Sequence, residues 1–356
     1  MPAIQEIHQN GPFISVIIPA RNEERSIEKC LGSLLEQTYP NFEIIVVDDQ
    51  SSDHTAEIAR KFIKQDANTK VRLIPGQPLP QGWLGKCWAI QQATQIAQGE
   101  WLLFSDADVI HLPQTLTSAY RYAIKENVDF LTLKYTLLVE TFWEKVVLPC
   151  LLFLENWFVV SPKQVNNMKR PEAVMAKGDF IFVKRKVYTE LGGHQAIKSE
   201  IIESAALMSL FKRTGHKVRL VNGADLIRVR KFHNLREIIN SYFKLLYRAF
   251  TPVENRLRGL VNAFILISSL IPMAVLIWLL FAESLYRNAI LTTSSVVEVL
   301  ILLFAAMIFY KRDNFRPHYV LGLPLGVLIT SFITLKALFA VTARKGLSWR
   351  GRIYEQ

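Results

Sequence analysis

Trp101-Leu102-Leu103-Phe104-Ser105-Asp106-Ala107-Asp108 is the stretch on which the reading of this chain turns. The apolar run 101–104 reads as a short buried strand, ending at Ser105. Two carboxylates one residue apart at its end repel each other unless positive charge sits between them. A hard divalent cation carrying diphosphate oxygens supplies that charge, because Mg²⁺ is held by one or two carboxylates together with substrate phosphates. A solvated turn with two aspartates looks the same in isolation, so the surroundings have to decide.

Upstream, strands and helices alternate. Residues 13–18 predict a strand. Residues 24–37 predict a helix with Ile27, Leu31, Leu34 and Leu35 on one face. A second strand over 42–47 lacks alternation, as a strand buried on both faces does. A helix over 55–62, a strand over 71–74, a Pro/Gly-rich loop over 75–85 and a helix over 88–98 lead to the strand at 101–105. This order predicts an α/β fold with a parallel, doubly wound sheet, whose ligands bind at the carboxyl ends of the strands. Further on, strands are expected over 130–139 and 174–183 and a helix over 184–191.

Composition points to lipid and phosphate. Half of the 356 residues are hydrophobic and the net charge is +11, with a mean hydropathy of +0.18. A basic surface serves nucleic acid, anionic lipid or phosphorylated substrates; beside this hydrophobicity the expectation is membrane and phosphate, with no nucleic-acid partner. Cys30, Cys87 and Cys150 have no metal-ligand spacing, which fits a reducing compartment. Residues 1–12 carry no signal-peptide pattern.

The last third predicts membrane spans at 260–282, 288–310 and 319–343, each reaching the roughly 20 residues a spanning helix needs. Glu298 and Lys336 are the charges inside the second and third, and are expected to pair because such residues are costly in lipid. Arg256, Arg258, Lys311, Arg312 and Arg316 agree with a cytoplasmic catalytic part by the positive-inside rule; the tail residues Arg344, Lys345, Arg350 and Arg352 do not, unless one segment is re-entrant. Residues 234–250 step by three and one through Leu235, Ile238, Ile239, Tyr242, Phe243, Leu246, Tyr247 and Phe250, with Arg236, Lys244 and Arg248 elsewhere. That pattern predicts a basic amphipathic helix lying in the interface, or one packed on the sheet domain. Residues 142–160 predict an interfacial or buried core helix. The expected division is 1–233 catalytic, 234–258 interfacial helix and linker, 259–343 transmembrane and 344–356 a basic tail, giving a multi-pass protein of the cell membrane.

Three strand ends carry polar residues: Pro19-Ala20-Arg21-Asn22-Glu23, then Asp48-Asp49-Gln50-Ser51-Ser52-Asp53, then Asp106-Ala107-Asp108. An acidic pair can hydrogen-bond a base or ribose, and Arg21 and Lys86 can hold phosphates. Together these describe a nucleotide-diphosphate pocket with a metal, with Asp48 and Ser51 on its rim. The three motifs resemble family 2 glycosyltransferases of the GT-A fold over residues 13 to about 230. Gly82-Trp83-Leu84-Gly85-Lys86 and Trp349-Arg350-Gly351-Arg352 resemble the membrane-associated branch acting on hopanoid-type lipids and carotenoids. The resemblance implies that Pro19, Arg21 and Glu23 line the nucleotide site and that Asp49 contacts the base. It puts Lys86 near the ribose or diphosphate, Asp106 facing the nucleotide, and Asp108 on Mn²⁺ or Mg²⁺, with Asp106 beside it as a metal residue. It also implies a UDP-sugar as donor and a lipid as acceptor.

The family's base is an acid at the second position of a pair after Gly-Gly. Here Leu191-Gly192-Gly193 is followed by Glu203-Ser204, and Ser204 cannot serve as a base. A hydroxyl acceptor needs a carboxylate within hydrogen-bond reach, which leaves Glu203 and, second, Glu200. A phosphate or carboxylate acceptor needs none. No Gln-x-x-Arg-Trp motif of processive synthases is present, so transfer of a single sugar is expected, and the resemblance implies that it is inverting. The alternatives are a polyprenyl-phosphate sugar synthase and a non-catalytic nucleotide-sugar-binding membrane protein.

Overall fold

The sequence Ile-Ser-Val-Ile-Ile-Pro-Ala forms β1 (Ile14–Ala20), buried along nearly its whole length. The computed structural model that contains it describes residues 11–65, 70–158, 160–251, 253–271, 274–275, 277–278, 289–312, 315–343, 347–349 and 352–354. Beside β1 stand β2 (Phe42–Asp48), β3 (Val71–Pro75) and β4 (Trp101–Ser105), parallel and in the order β3-β2-β1-β4. They are joined through α1 (Ile27–Leu35), α2 (Thr55–Gln65) and α3 (Gly85–Ile96). Both faces of β1 are covered, which is why its sequence does not alternate. Ile14, Val16 and Ile18 share one core with Leu31 and Leu34 of α1, and Ile17 shares the other with Ile45, Val47, Ala89 and Ile90. The β4 ladder ends at Ile17↔Phe104, so Pro19, which has no N–H to give, falls where β1 keeps only β2 as a neighbour.

The chain continues through β5 (Val109–His111), α4 (Thr115–Lys125), β6 (Phe130–Lys134) and β7 (Thr136–Leu137) to α5 (Phe142–Phe158) and the one-turn α6 (Pro162–Val165). After these come β8 (Phe180–Lys184), α7 (Arg185–Glu190), α8 (Glu203–Arg213), β9 (Val218–Asn222) and β10 (Ile227–Val229). The parallel expectation holds for most of the sheet, with one departure. β8 runs antiparallel between β4 and β6, completing a seven-stranded, mostly parallel sheet in the order β3-β2-β1-β4-β8-β6-β9. β5, β10 and β7 form a separate three-stranded sheet. The strand expected over 130–139 is therefore two strands in two sheets. The strand expected from 174 begins only at Phe180, because a turn precedes it in which the Phe180 N–H donates to the Lys177 carbonyl (3.2 Å).

The chain divides into two compact units. One comprises Met1–Leu138 and Val160–Lys231; the other comprises Val139–Val159 and Phe232–Gln356. In the second, α12 (Leu323–Thr342) packs on α5, α9 (Leu235–Phe250) and α10 (Val253–Ser268), and α11 (Ala289–Arg312) precedes α12. The apolar face of α9 is not open: Ile238, Tyr242, Leu246, Tyr247 and Phe250 are buried and the helix packs on α12. Asn234 caps α9 by accepting the Glu237 N–H (3.0 Å), one of the donors a helix start leaves unpaired. Among the described residues one helical stretch, Pro317–Thr342, is long and apolar enough to cross a membrane. Of the other two expected spans, 288–310 lies on α11 from Ala289 onward, and 260–282 falls partly outside the described residues, as does residue 288. The expected Glu298–Lys336 pair does not form: Glu298 is exposed, and the Lys336 ammonium lies over the rings of Phe243 (5.1 Å) and Phe332 (6.0 Å). An aromatic face attracts a cation without the cost of bringing a second charge into an apolar surface.

Candidate active site

Parallel strands end on one rim, and the polar residues after β1 and β2 interlock there. Arg21 donates to the Asp49 carbonyl (2.7 Å). Asn22 and Gln50 take left-handed backbone angles, φ 55° and 57°, which lets both loops turn sharply out of their strands. The Asn22 N–H donates to Ser51 Oγ (3.0 Å), and the Ser52 N–H donates back to Asn22 Oδ1 (2.8 Å). Asp48 accepts the Ser51 N–H (3.3 Å), and the Glu23 N–H donates to Thr55 Oγ1 (2.8 Å). Arg21, Asn22, Asp48, Asp49 and Ser51 thus form one bonded surface, fixed before any ligand arrives.

The second group gathers at the end of β4. Asp106, Asp108 and Asp179 each bring a carboxylate oxygen within 4.8 Å of the other two. Burial, then the charges of Asp106 and Asp179, raise the pKa of Asp108, and its Oδ1 is buried without a hydrogen-bond partner. Glu23 adds its charge to Asp108, so the β1 loop and the β4 end act on one site. Burial alone would raise Asp179, but the Lys231 ammonium at 3.0 Å holds it low. Lys86, at the start of α3, contacts Asp106 Oδ1 (2.6 Å) and Glu203 Oε1 (2.7 Å). Burial works against its charge, yet these two carboxylates raise its pKa. Glu203 opens α8. Ser204 is buried beside it with its hydroxyl directed at the Ala176 carbonyl (3.4 Å). Glu200 is half-buried in the turn before α8.

The donor set is all hard oxygen, and one buried oxygen has no partner among the described residues. That suits a Mg²⁺- or Mn²⁺-like cation. Asp108, with its buried unpartnered oxygen, is best suited to hold one; Asp106 and Asp179 beside it each already meet a lysine, Lys86 and Lys231.

Asp179 and Lys231 are not among the residues expected to hold the metal or the nucleotide. Asp179 precedes a strand, and residues before a strand lie on this rim only if the strand is antiparallel. The register Ser105↔Phe180 brings Asp179 level with Asp106. Lys231 follows the three-residue β10, too short to stand out by periodicity. Its ammonium approaches the Tyr135 hydroxyl (3.4 Å) as well as Asp179.

With this fold and rim in view, comparison with known proteins is direct. The family described as Glycosyl transferase family 2 matches residues 15–192, half of the chain. The chain belongs to glycosyl transferase family 2. It is 29% identical over 226 residues to a 4,4'-diaponeurosporenoate glycosyltransferase of Staphylococcus haemolyticus, covering 62% of this chain and 56% of that protein. It is 27% identical over 193 residues to a beta-monoglucosyldiacylglycerol synthase of Trichormus variabilis, covering 53% of this chain and 39% of that one. The chain thus spans about half the length of these curated relatives, or less. A mannosyltransferase from Pyrobaculum calidifontis, solved with GDP-Man and Mn²⁺, superposes with a TM-score of 0.52 over 94% of this chain and 87% of its own, at 17% identity. At that identity the likeness shows the fold alone, an α/β fold of the GT-A kind.

Proposed function

We propose that this chain transfers one sugar from a nucleotide-diphosphate sugar to a lipid acceptor at a membrane. The observation that carries the reading is the meeting of Asp106, Asp108, Lys86 and Glu203 on one strand-end rim in a chain of this family. Pro19, Arg21, Glu23, Asp48, Asp49 and Ser51 bind the nucleotide, and Lys86 and Asp106 face the diphosphate. Asp106 and Asp108 would hold a divalent cation, which neutralises the charge that develops on the leaving diphosphate. An acceptor oxygen bonds to the anomeric carbon from the face opposite the diphosphate. The old carbon–oxygen bond breaks, the diphosphate keeps the electron pair, and a hydroxyl acceptor gives its proton to Glu203. The outcome is inversion. The apolar second unit keeps the chain at the membrane that holds the acceptor, with the catalytic unit on its cytoplasmic side.

A second reading, an acidic acceptor, is favoured by Ser204. Where the family pattern has a second acid, this chain has a buried hydroxyl directed at a backbone carbonyl. A carboxylate or phosphate acceptor arrives ionised and needs no base, and the first relative above is named for a carboxylate.

The test incubates the purified full chain with radiolabelled UDP-glucose, UDP-GlcNAc or GDP-mannose, extracted membrane lipids and Mn²⁺ or Mg²⁺. Label should enter the lipid phase for one donor and be lost on chelation. Release of free sugar by mild alkali marks a glycosyl ester on a carboxylate, release by mild acid but not alkali marks a glycosyl phosphate, and resistance to both marks a glycoside. No lipid label with any donor overturns the proposal.

A further inference from the structure

Lys86 and Glu203 lie far apart in the chain, yet one ammonium serves both Glu203 (2.7 Å) and Asp106 (2.6 Å). The bridge is not sealed in the core. The Lys86 side chain is 33% exposed, and those of Asp106 and Glu203 are 29% and 13% exposed. Its walls are close, however. A Cβ added to Gly178 would stand 3.3 Å from both Lys86 Nζ and Glu203 Oε1, and 3.6 Å from Ser204 Cβ. The backbone at Gly178 therefore leaves room for the ammonium and the carboxylate to meet and for little else. In the proposed reaction these two carboxylates have different duties, Asp106 on the donor side and Glu203 on the acceptor side. A single cation ties them together.

We propose that Lys86 is a positioning residue that makes the acceptor side wait for the donor: without donor it is clamped between Asp106 and Glu203, and a nucleoside diphosphate draws it off Glu203. The inference rests on the donor and acceptor roles proposed above. A diphosphate offers several charged oxygens where Glu203 offers one carboxylate, and charge-assisted bonds to lysine follow charge. Lysine suits the move, being a point charge with three donors on a flexible four-carbon stem; arginine's planar fork would lock onto one carboxylate. When the ammonium turns to the diphosphate, Glu203 loses this contact and can accept from an acceptor group in its place. Nucleotide and acceptor sites are then coupled through one side chain, and by linkage each favours the other.

Zero-length carbodiimide cross-linking of the full chain reads the clamp directly, because only groups in contact form an amide. Peptide mass spectrometry quantifies the Lys86–Glu203 amide with Mg²⁺ alone and with Mg²⁺ plus UDP, GDP or TDP, while calorimetry reports which nucleotide binds. The nucleotide that binds should lower the Lys86–Glu203 cross-link by about tenfold, within the ordinary range of site-to-site coupling. It should also raise labelling of Glu203 by an added amine. In Lys86→Gln, Glu203 labelling should be high with or without nucleotide. A bound nucleotide that leaves the cross-link unchanged, or Mg²⁺ alone removing it equally, overturns the inference and leaves the donor site standing. If no nucleoside diphosphate binds, the donor-site reading falls and the inference with it.

Discussion

Asp108 sits where its own charge is unfavourable. Burial and two neighbouring carboxylates raise its pKa, and one of its oxygens is buried without a partner. Residues kept against stability in this way mark places where function sets the choice. Asp108→Asn removes the repulsion with little change of shape. The metal-free variant should be more stable than the parent by on the order of 1 kcal/mol, or about 2–4 °C in thermal midpoint. Mn²⁺ should raise the thermal midpoint of the parent in a thermal-shift assay, and the variant should lose that rise. A Mn²⁺ shift of undiminished size in the variant would remove Asp108 from the metal site. The Asp-x-Asp pair was legible because it closes an apolar run in a chain of alternating strands and helices. The place of Asp179 beside the pair was hidden because antiparallel insertion of β8 is a tertiary event with no local signature, and that of Lys231 because it follows the three-residue β10. His111 and His194 show the same limit. Both are buried, His111 against Ser105 Oγ (2.9 Å) and His194 against the Tyr188 hydroxyl (2.8 Å). Burial lowers the pKa of each from 6.5 to about 3. Below pH 6.5 the unfolded chain takes up protons that the folded chain refuses, so stability is complete above 6.5 and is lost as pH falls toward 3. Each histidine contributes a slope approaching about 1.4 kcal/mol per pH unit in that window. Thermal midpoints measured from pH 7.5 to 4.5 should fall accordingly, and His111→Asn should flatten the fall; a parent profile flat across this range would contradict the buried neutral state.

Among the elements, the helices of the second unit show what hydrophobic pattern can and cannot reveal. The spacing of 234–250 announced a one-sided helix, and α9 follows it closely. Spacing does not say what covers the face, and the structure covers it with α12 rather than leaving it free. The same limit split the expected strand at 130–139. Alternation persists through it, but Tyr135 separates a strand of one sheet from a strand of another, and pairing partners are not written in a single strand's pattern. Packing of α5 on α12 depends on a detail smaller still. Gly326 lies against the Val146 carbonyl, and an added Cβ there would clash with that oxygen and crowd Cys150 Sγ at 2.9 Å. Backbone cannot yield as a side chain can, so Gly326→Val should force the helices apart and destabilise the second unit. The cost should be about 1–3 kcal/mol, as for other overpacked contacts. Limited proteolysis of the detergent-solubilised chain should cut α5 or α12 earlier in the variant, while nucleotide binding by the first unit is retained. Equal protease resistance in parent and variant would mean that this contact is not tight.

At the scale of the whole chain, exposed apolar surface and basic charge combine to set where the protein can reside. Along α12, Leu325, Leu328, Phe332, Leu335 and Phe339 are exposed at helical spacing; on α11, Leu300, Ile301, Phe304 and Ile308 are as well. Water-facing proteins rarely expose contiguous apolar stripes of this extent. A net charge of +11 would add attraction to anionic lipid. Acyl chains are the cover that suits such stripes, and Lys336 between Phe332 and Phe339 can lay its apolar stem along them with its ammonium on Phe243. The full chain should therefore remain in membranes washed with alkaline carbonate or high salt and leave them only with detergent. Charge alone would give release by salt; burial of the stripes in lipid would not. Placing aspartate on both stripes, Phe304→Asp with Phe332→Asp, should cost about 2.5–3.5 kcal/mol for each residue that sits at mid-bilayer depth. Membrane-bound yield should fall sharply, while nucleotide binding by whatever protein is recovered in detergent stays the same, since neither residue belongs to the first unit. Release of the parent chain by carbonate, or full membrane retention of the double variant, would show that these stripes face something other than lipid.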